Sequence, residues 1–591
     1  MIKLIRDNSR SFRLLNKKNS DPRKPKGKIK WKYLFRVFSK PERLIIYLAI
    51  LALLGATGWL GWEFSWQHIK SEPKGGGHYI EGIVGEPQYI NPLFAQGSDV
   101  DMNITSLIFS SLMKYNNHQE LVPDLAESYE VSEDEKNYTF HLRQNAYWHD
   151  GEQLTADDVV FTVQTIKNSS YQSVLSANFQ DVAVEKVDDF TIKFTLTGES
   201  LSPFLKENTT FGIIPEHIWQ EIVPANALLT EYNLSPVGSG PYLFAEYKKD
   251  KKTGIVDSYT LVKNNNYHQA TAYIDKITFK FFTDDTSVVN AYNSKEITGI
   301  SYLPPEEREN ISQKVKDDLV SHNLKLPRYY ALFFNQPKNS ILKSQEVRKA
   351  LAYGTNREEI ITKIFNGEGV KIDSPILESF LGHNPEIKRY EYDKDQANNI
   401  LHEDGWNEIN EEGYRNKKDT QLELTITTTD QLEIANLANL LQKQWKEMGV
   451  KVNIELIDPT ELQTEFIKPR NYEILLYGQL IGHDPDPYSF WHSTQRQDPG
   501  LNLTSFKDPT ADDLLETARK TSQEDERTKK YLHWQNIMAE KLPALFLCSP
   551  TYTYAVDKSV QGIELEYITV PSDRFTNASN WYIDVSRRWE W

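Results

Sequence analysis

At 591 residues the chain is too long for one hydrophobic core, and its length suggests two to four domains or a large two-lobed α/β body. Hydrophobic residues at 39% and aromatics at 12% can fill packed interiors, which excludes global disorder. The net charge of −16 is split: residues 1–43 carry 15 Lys/Arg against three acids, a net of +12, so −28 falls on the other 548 residues, and so acidic a body repels nucleic-acid backbones.

The basic arm, residues 1–43, leads into "LIIYLAILALLGATGWLGW" (44–62), 19 residues without a formal charge. At about 1.5 Å per residue this stretch spans about 28 Å, close to the hydrocarbon thickness of a bilayer. It is expected to be a transmembrane anchor, with the basic flank holding the N-terminus in the cytoplasm and the acidic body outside. Trp59, Trp62 and Trp66 would then form an interfacial belt on the far side. A cleaved signal peptide is the competing reading, but the long basic lead and the lack of an A-x-A site speak against it. Cys548 is the only cysteine, so no internal disulfide forms and no lipobox follows the apolar run. A cysteine-poor exported chain fits a bacterium.

Residues 63–77, containing "HIKSEPKGGG" from 68 onwards, read as a linker, and the folded body is expected from 78 to 591. "NYTFHL" (137–142) alternates Tyr138, Phe140 and Leu142 with polar residues, a strand with one buried face. Thr155 and Asp158 form a capping-box pattern ahead of a helix whose buried stripe is Val159, Val163 and Ile166. Residues 347–369 read as two helices, the second capped by Thr355 with Glu358 and stopped at Gly367. From 422 to 457 a strand, a helix (430–448) and a second strand predict a parallel crossover and hence α/β architecture.

Motifs of chemistry are almost absent. There is no phosphate-binding glycine loop, no dinucleotide fingerprint, no zinc-protease helix and no nucleophile elbow. "VGSGPY" (237–242) reads as a tight turn, and Cys548 in an apolar strand reads as a buried, inert thiol. Residues 393–404 lack the Gly and Glu of a calcium loop, and His149, His483 and His492 show no ligand spacing. No catalytic residue, metal or cofactor is assigned. "IGHDPDPYSFWHS" (481–493) stays open to three readings: an acid/base pair, a metal site or the lip of a binding cleft.

Several stretches in order resemble one family. They are "GEPQYINPLFAQGSDVDMNITSLIFSSL" (85–112), "LVPDLAESYEVSEDEKNYTFHLRQNAYWHDGEQLTADDVVFT" (121–162), "VGSGPYLF" (237–244), "FFNQP" (333–337), "VRKALAYGTNREEI" (347–360), "LQKQWKEMGVKVNI" (441–454), "DPDPYSFW" (484–491) and "ERTKKYLHWQNIMAEKLPALFLCSP" (526–550). Together they resemble the extracytoplasmic solute-binding proteins of peptide ABC importers, the oligopeptide/dipeptide-binding class (solute-binding protein family 5), over roughly residues 78–591.

The resemblance implies a two-lobed periplasmic-binding-protein fold of class II type with an extra subdomain. Lobe I would comprise about 78–106, 216–326 and 550–591, the inserted subdomain about 107–215, and lobe II about 327–549. It also implies capture of a peptide in the interlobe cleft by hinge closure, with delivery to ABC permease and ATPase subunits. Candidate ligand residues are Gln96, Gly97 and Ser98, in the loop after Asn91-Pro92, and Tyr330 on the strand entering lobe II. His483 stands three residues before the acidic-Pro pair Asp486-Pro487, where peptide binders of the family place an amine-anchoring aspartate. Asp484 is the nearest carboxylate, and Trp491 is a candidate platform or a core residue. Of the three readings of 481–493, the resemblance implies the cleft lip. The alternatives are a ligand-sensing or scaffold ectodomain on the same fold, a non-peptide solute, and a hydrolase using Asp484 or Asp486 for which no orienting group is visible.

Overall fold

The computed structural model describes residues 39–198, 204–378, 380–482, 484, 486–498, 500–521 and 523–589. Most of the basic arm and His483 therefore lie outside the described residues. The chain divides into two units, 1–72 with 586–591, and 73–585.

In the first unit a helix runs from Lys40 to His68. Ser39 and Glu42 start it: the Ser39 amide and hydroxyl both donate to the Glu42 carboxylate, at 2.7 and 2.9 Å. Its segment Lys40–Leu60 is long and apolar enough to cross a membrane, and none of its residues is buried, Leu51 being 71% exposed. The helix outlasts the expected 44–62 segment because no Gly or Pro interrupts 63–68; Pro73 and the glycines at 75–77 come only later.

The second unit is built on one long mixed sheet. Its strand order in residues is 451–457, 423–429, 474–480, 328–334, 544–557, 299–300, 78–84, 276–282, 256–263 and 242–249. The strand Ala544–Asp557 belongs to both halves. Its first part pairs antiparallel with Arg328–Phe334, placing Tyr330 opposite Cys548. Its second part pairs with Leu319–Lys325, placing Thr551 opposite Lys325. Two backbone crossings, at Leu326-Pro327 and Ser549-Pro550, thus lie side by side between the half-sheets.

The expected crossover is present: Glu423–Thr429 lies parallel to Lys451–Ile457, joined by the helix Leu432–Lys446. Ile434, Leu437, Ala438, Leu441 and Trp445 form its buried face, and Gly449 at φ +78° turns the chain back. The unbroken apolar run of strand Arg328–Phe334 has a simple cause, since both faces of the sheet are covered there. Leu332 and Phe334 pack into one core with Leu351 and Trp445, and Tyr329 and Phe333 into another with Trp491 and Trp534.

A separate four-stranded antiparallel sheet holds strand Asn137–Leu142, with Tyr138, Phe140 and Leu142 buried as expected. The Thr155–Asp158 capping box starts the helix Ala156–Lys167 beside it. One cap differs from expectation. Asn356, not Thr355, caps the helix Arg357–Ile364, its Oδ1 accepting from the Glu359 amide at 3.0 Å. Thr355 is drawn inward, donating to the Leu351 carbonyl at 2.7 Å and accepting from the Trp445 indole at 2.9 Å. The glycines of "VGSGPY" serve a close approach of two backbones: a Cβ on Gly238 would lie 2.1 Å from the Ile108 carbonyl oxygen, and the Gly240 amide donates to that oxygen at 2.7 Å.

Candidate functional site

Three parallel strands end on the same cavity. Strand His78–Val84 runs parallel to Lys276–Phe282 and to the short strand Gly299–Ile300. At or just past their carboxyl ends stand Val84, Asp285 and Ser301 with Tyr302. In the other half-sheet Glu423–Thr429 also ends there, and Glu433 follows it in the first turn of the next helix. Ligand clefts of open α/β sheets form at such carboxyl ends. The cavity holds about 420 Å³ and is lined from both half-sheets, with Leu326 and Pro550 of the backbone crossings in its floor.

Tyr330 is buried in its wall, stacked on Phe365 at 5.6 Å, with its hydroxyl 3.5 Å from Glu433 Oε1. Burial pushes its pKa up to about 12, so it is a neutral donor. The Arg328 guanidinium lies 5.6 Å from the Tyr330 ring centroid. Burial, then the nearby Glu306, push the Glu433 carboxyl up, against the pull of Arg328. Partial desolvation also raises Asp99, an exposed residue at the start of helix Asp99–Ile108, and raises the half-buried Asp285, where Glu306 adds to it. All three acids occupy first turns of helices, where the helix dipole favours a negative charge.

Arg308 and Glu368 form an ion pair across the two half-sheets at the cavity edge, and Arg308 also donates to Thr553 Oγ1 at 2.7 Å. Behind the wall Arg574, fully buried, pairs with Glu81 and donates to Asn103 Oδ1 at 2.8 Å.

Of the residues singled out from sequence, Tyr330 lies on this cavity. Gln96 and Gly97 are exposed in the turn Ala95–Gly97, and Gln96 borders a different cavity of about 330 Å³. Ser98 caps the helix Asp99–Ile108, accepting from the Asp101 amide at 3.3 Å. Asp484 is buried and paired with Arg527 at 2.5 Å, while Asp486 is paired with Arg519 at 2.5 Å. Trp491 is core, against Phe546 at 5.8 Å and Phe333 at 6.0 Å. Asp484, Asp486 and Trp491 line neither of these two cavities; Asp484 pins helix Glu524–Lys541 through Arg527 and Asp486 pins helix Pro509–Arg519 through Arg519.

Sequence reasoning missed Arg328, Glu433, Asp99 and Asn103. The signal available for Glu433 was its place after the carboxyl end of a strand in a crossover unit. For Asp99 and Asn103 it was their position directly after the loop already singled out. Among the described residues no group of three or more His, Cys, Asp or Glu could hold a metal ion. Cys548 is buried and its thiol is pushed well up by that burial, as an inert cysteine would be.

A family model for bacterial extracellular solute-binding proteins, family 5 (Middle), matches residues 120–500. The chain is 26% identical over 525 residues to the oligopeptide-binding protein AppA of Bacillus subtilis, covering 87% of this chain and 92% of that protein. The crystal structure of the substrate-binding protein CtaP of Listeria monocytogenes superposes with a TM-score of 0.74 at 29% identity, covering 86% of this chain and 100% of that one. NikZ of Campylobacter jejuni, solved in complex with Ni(L-His), superposes with a TM-score of 0.69 at 26% identity, covering 85% and 99%. The two-lobed α/β architecture is shared with these structures. The chain belongs to the bacterial extracellular solute-binding proteins of family 5.

Proposed function

We propose that this protein is a membrane-anchored receptor outside the cytoplasm that captures peptides between two lobes and hands them to an ABC permease with its ATPase. The observation that carries the reading is the 420 Å³ cavity lined from both half-sheets and floored by the two backbone crossings. Lobe I is assigned to about 78–106, 216–326 and 550–591, with 107–215 inserted, and lobe II to about 327–549. The hinge then falls at Leu326-Pro327 and Ser549-Pro550, and closure about two short crossings is a standard response to ligand. The peptide reading is supported by the names of relatives such as the oligopeptide-binding protein of Bacillus subtilis.

Tyr330 with Phe365, Arg328, Glu433, Asp99 and Asn103 are assigned as ligand contacts. Anchoring is assigned to the apolar helix, and the net charge of +12 ahead of it favours an N-terminus held in the cytoplasm. The test is a thermal-shift titration of the full chain in detergent micelles with a random tripeptide pool. Stabilisation is expected for the wild type and its loss for Tyr330→Ala. Stabilisation by other solutes and none by peptides would overturn the peptide assignment.

A further inference from the structure

The cleft carries an excess of carboxylates without ion-pair partners among the described residues. Asp99, Asp285 and Glu433 line it and Glu306 stands close enough to act on two of them. None of the four has an ion-pair partner among the described residues, whereas Glu368, the remaining acid on the wall, is neutralised by Arg308. Among the described residues Arg328 is the one cationic residue lining the cavity. Three carboxylates on the wall against one guanidinium leave a formal excess of two negative charges, and the exposed Glu306 adds to the field on Asp285 and Glu433 from outside the lining. Removing that charge from water without a counter-charge is costly, because burial penalises an uncompensated ion far more than a paired one.

A second observation is independent of the acids. Asn103, 1% exposed, sits on the same wall, one helical turn from Asp99. Its Oδ1 accepts from Arg574, which can only donate, so the amide orientation is fixed and Nδ2 is left as a donor. That Nδ2 is buried and has no acceptor among the described residues. Of the buried donors without a partner among the described residues, this one belongs to a residue lining the cavity, and an unsatisfied buried donor calls for a partner. A ligand bearing an acceptor oxygen beside its cationic group supplies both needs, as a peptide carbonyl does. A bare metal ion does not fit, since no metal-binding group of side chains is present among the described residues.

The geometry points to a receptor selective for peptides of net positive charge, carrying a Lys or Arg side chain in addition to the amino terminus. In this arrangement Glu433, Asp99 and Asp285 take the cationic groups, and Asn103 donates to a backbone carbonyl. The inference rests on the peptide reading above and adds the class of peptide.

The test is isothermal titration of the full chain in micelles with Ala-Ala-Ala, Ala-Lys-Ala and Ala-Glu-Ala. Ala-Lys-Ala is expected to bind at least tenfold tighter than Ala-Ala-Ala, with Ala-Glu-Ala weakest, and the ratio is expected to fall as salt rises. Glu433→Gln is expected to cut the Lys-over-Ala ratio to about threefold or less. Asp99→Asn, which keeps the shape of the side chain, provides a second variant if the first misfolds. Binding of all three peptides without charge preference, or a ratio untouched in both variants, overturns this inference and leaves the peptide reading standing. Binding of none overturns both.

Discussion

Asp484→Asn separates a structural carboxylate from a ligand-binding one. The resemblance drawn from the sequence leads one to expect an amine-anchoring aspartate beside Asp484, yet the Asp484 carboxylate is fully buried, 2.5 Å from the Arg527 guanidinium, itself only 13% exposed. Burial works against the charge on Arg527, and Asp484 and Tyr531 together more than offset it. Breaking a buried pair by removing one partner costs about 3–5 kcal/mol. The residual exposure of Arg527 and the Tyr531 ring 5.4 Å away soften this, so the expected loss is about 2–4 kcal/mol. Urea denaturation of the full chain in micelles, followed by tryptophan fluorescence, should show the lowered midpoint. The double variant Asp484→Asn/Arg527→Met should recover at least half of the loss, because no buried charge is then left alone. Peptide affinity of the folded protein should change less than about threefold, a difference under about 1 kcal/mol. Unchanged stability with a tenfold weaker affinity would refute the reasoning and return Asp484 to the binding site.

Gly240→Ala should cost about 3 kcal/mol, since its Cβ would meet the Leu107 oxygen and the Ile108 carbon at 2.6 Å; an unchanged denaturation midpoint would show that the two backbones can part. Asp124 is buried; its burial is outweighed by Lys114 at 3.3 Å and His268 at 3.2 Å, which hold its pKa below the usual carboxylate range. Its contribution to stability is therefore present above that range and lost as pH falls through the depressed folded value, so Asp124→Asn should flatten the acid limb of a stability–pH curve. Binding of a basic peptide should weaken on acidification at a pH above that of ordinary carboxylates. Glu433, facing Glu306, Arg328 and Tyr330, and Asp99, facing Arg574 and Arg328, both have raised pKa values and lose their charge as pH falls through them; affinity constant between pH 7 and about 4 would contradict this. Deleting 44–62 should move the protein from the membrane to the soluble fraction after fractionation, and retention in the membrane would assign anchoring elsewhere.

Periodicity made much of the fold legible. The alternation in 137–142, the capping box at Thr155 and the crossover at 422–457 each depend on neighbours along the chain, and each is present as read. Thr355 was misread because its competing partners, the Leu351 carbonyl and the Trp445 indole, become neighbours only on folding. The site was less legible for the same reason. Tyr330 could be placed because its strand enters the second half-sheet. Asp484 and Asp486 looked available because their counter-ions, Arg527 and Arg519, lie more than 30 residues away in sequence. Glu433 looked like an ordinary helix-surface acid. What marks it is its meeting with Arg328 and Tyr330, about a hundred residues earlier, beneath a cavity that no local pattern reveals.

Native mass spectrometry of the full chain, released from micelles after gentle purification without added ligand, tests the central claim most directly. A closed cleft releases its cargo slowly. The expected result is a ladder of adduct masses equal to short peptides, lost together in Tyr330→Ala. A single non-peptide adduct, or the same peptide ladder retained in that variant, would contradict capture of peptides in this cleft.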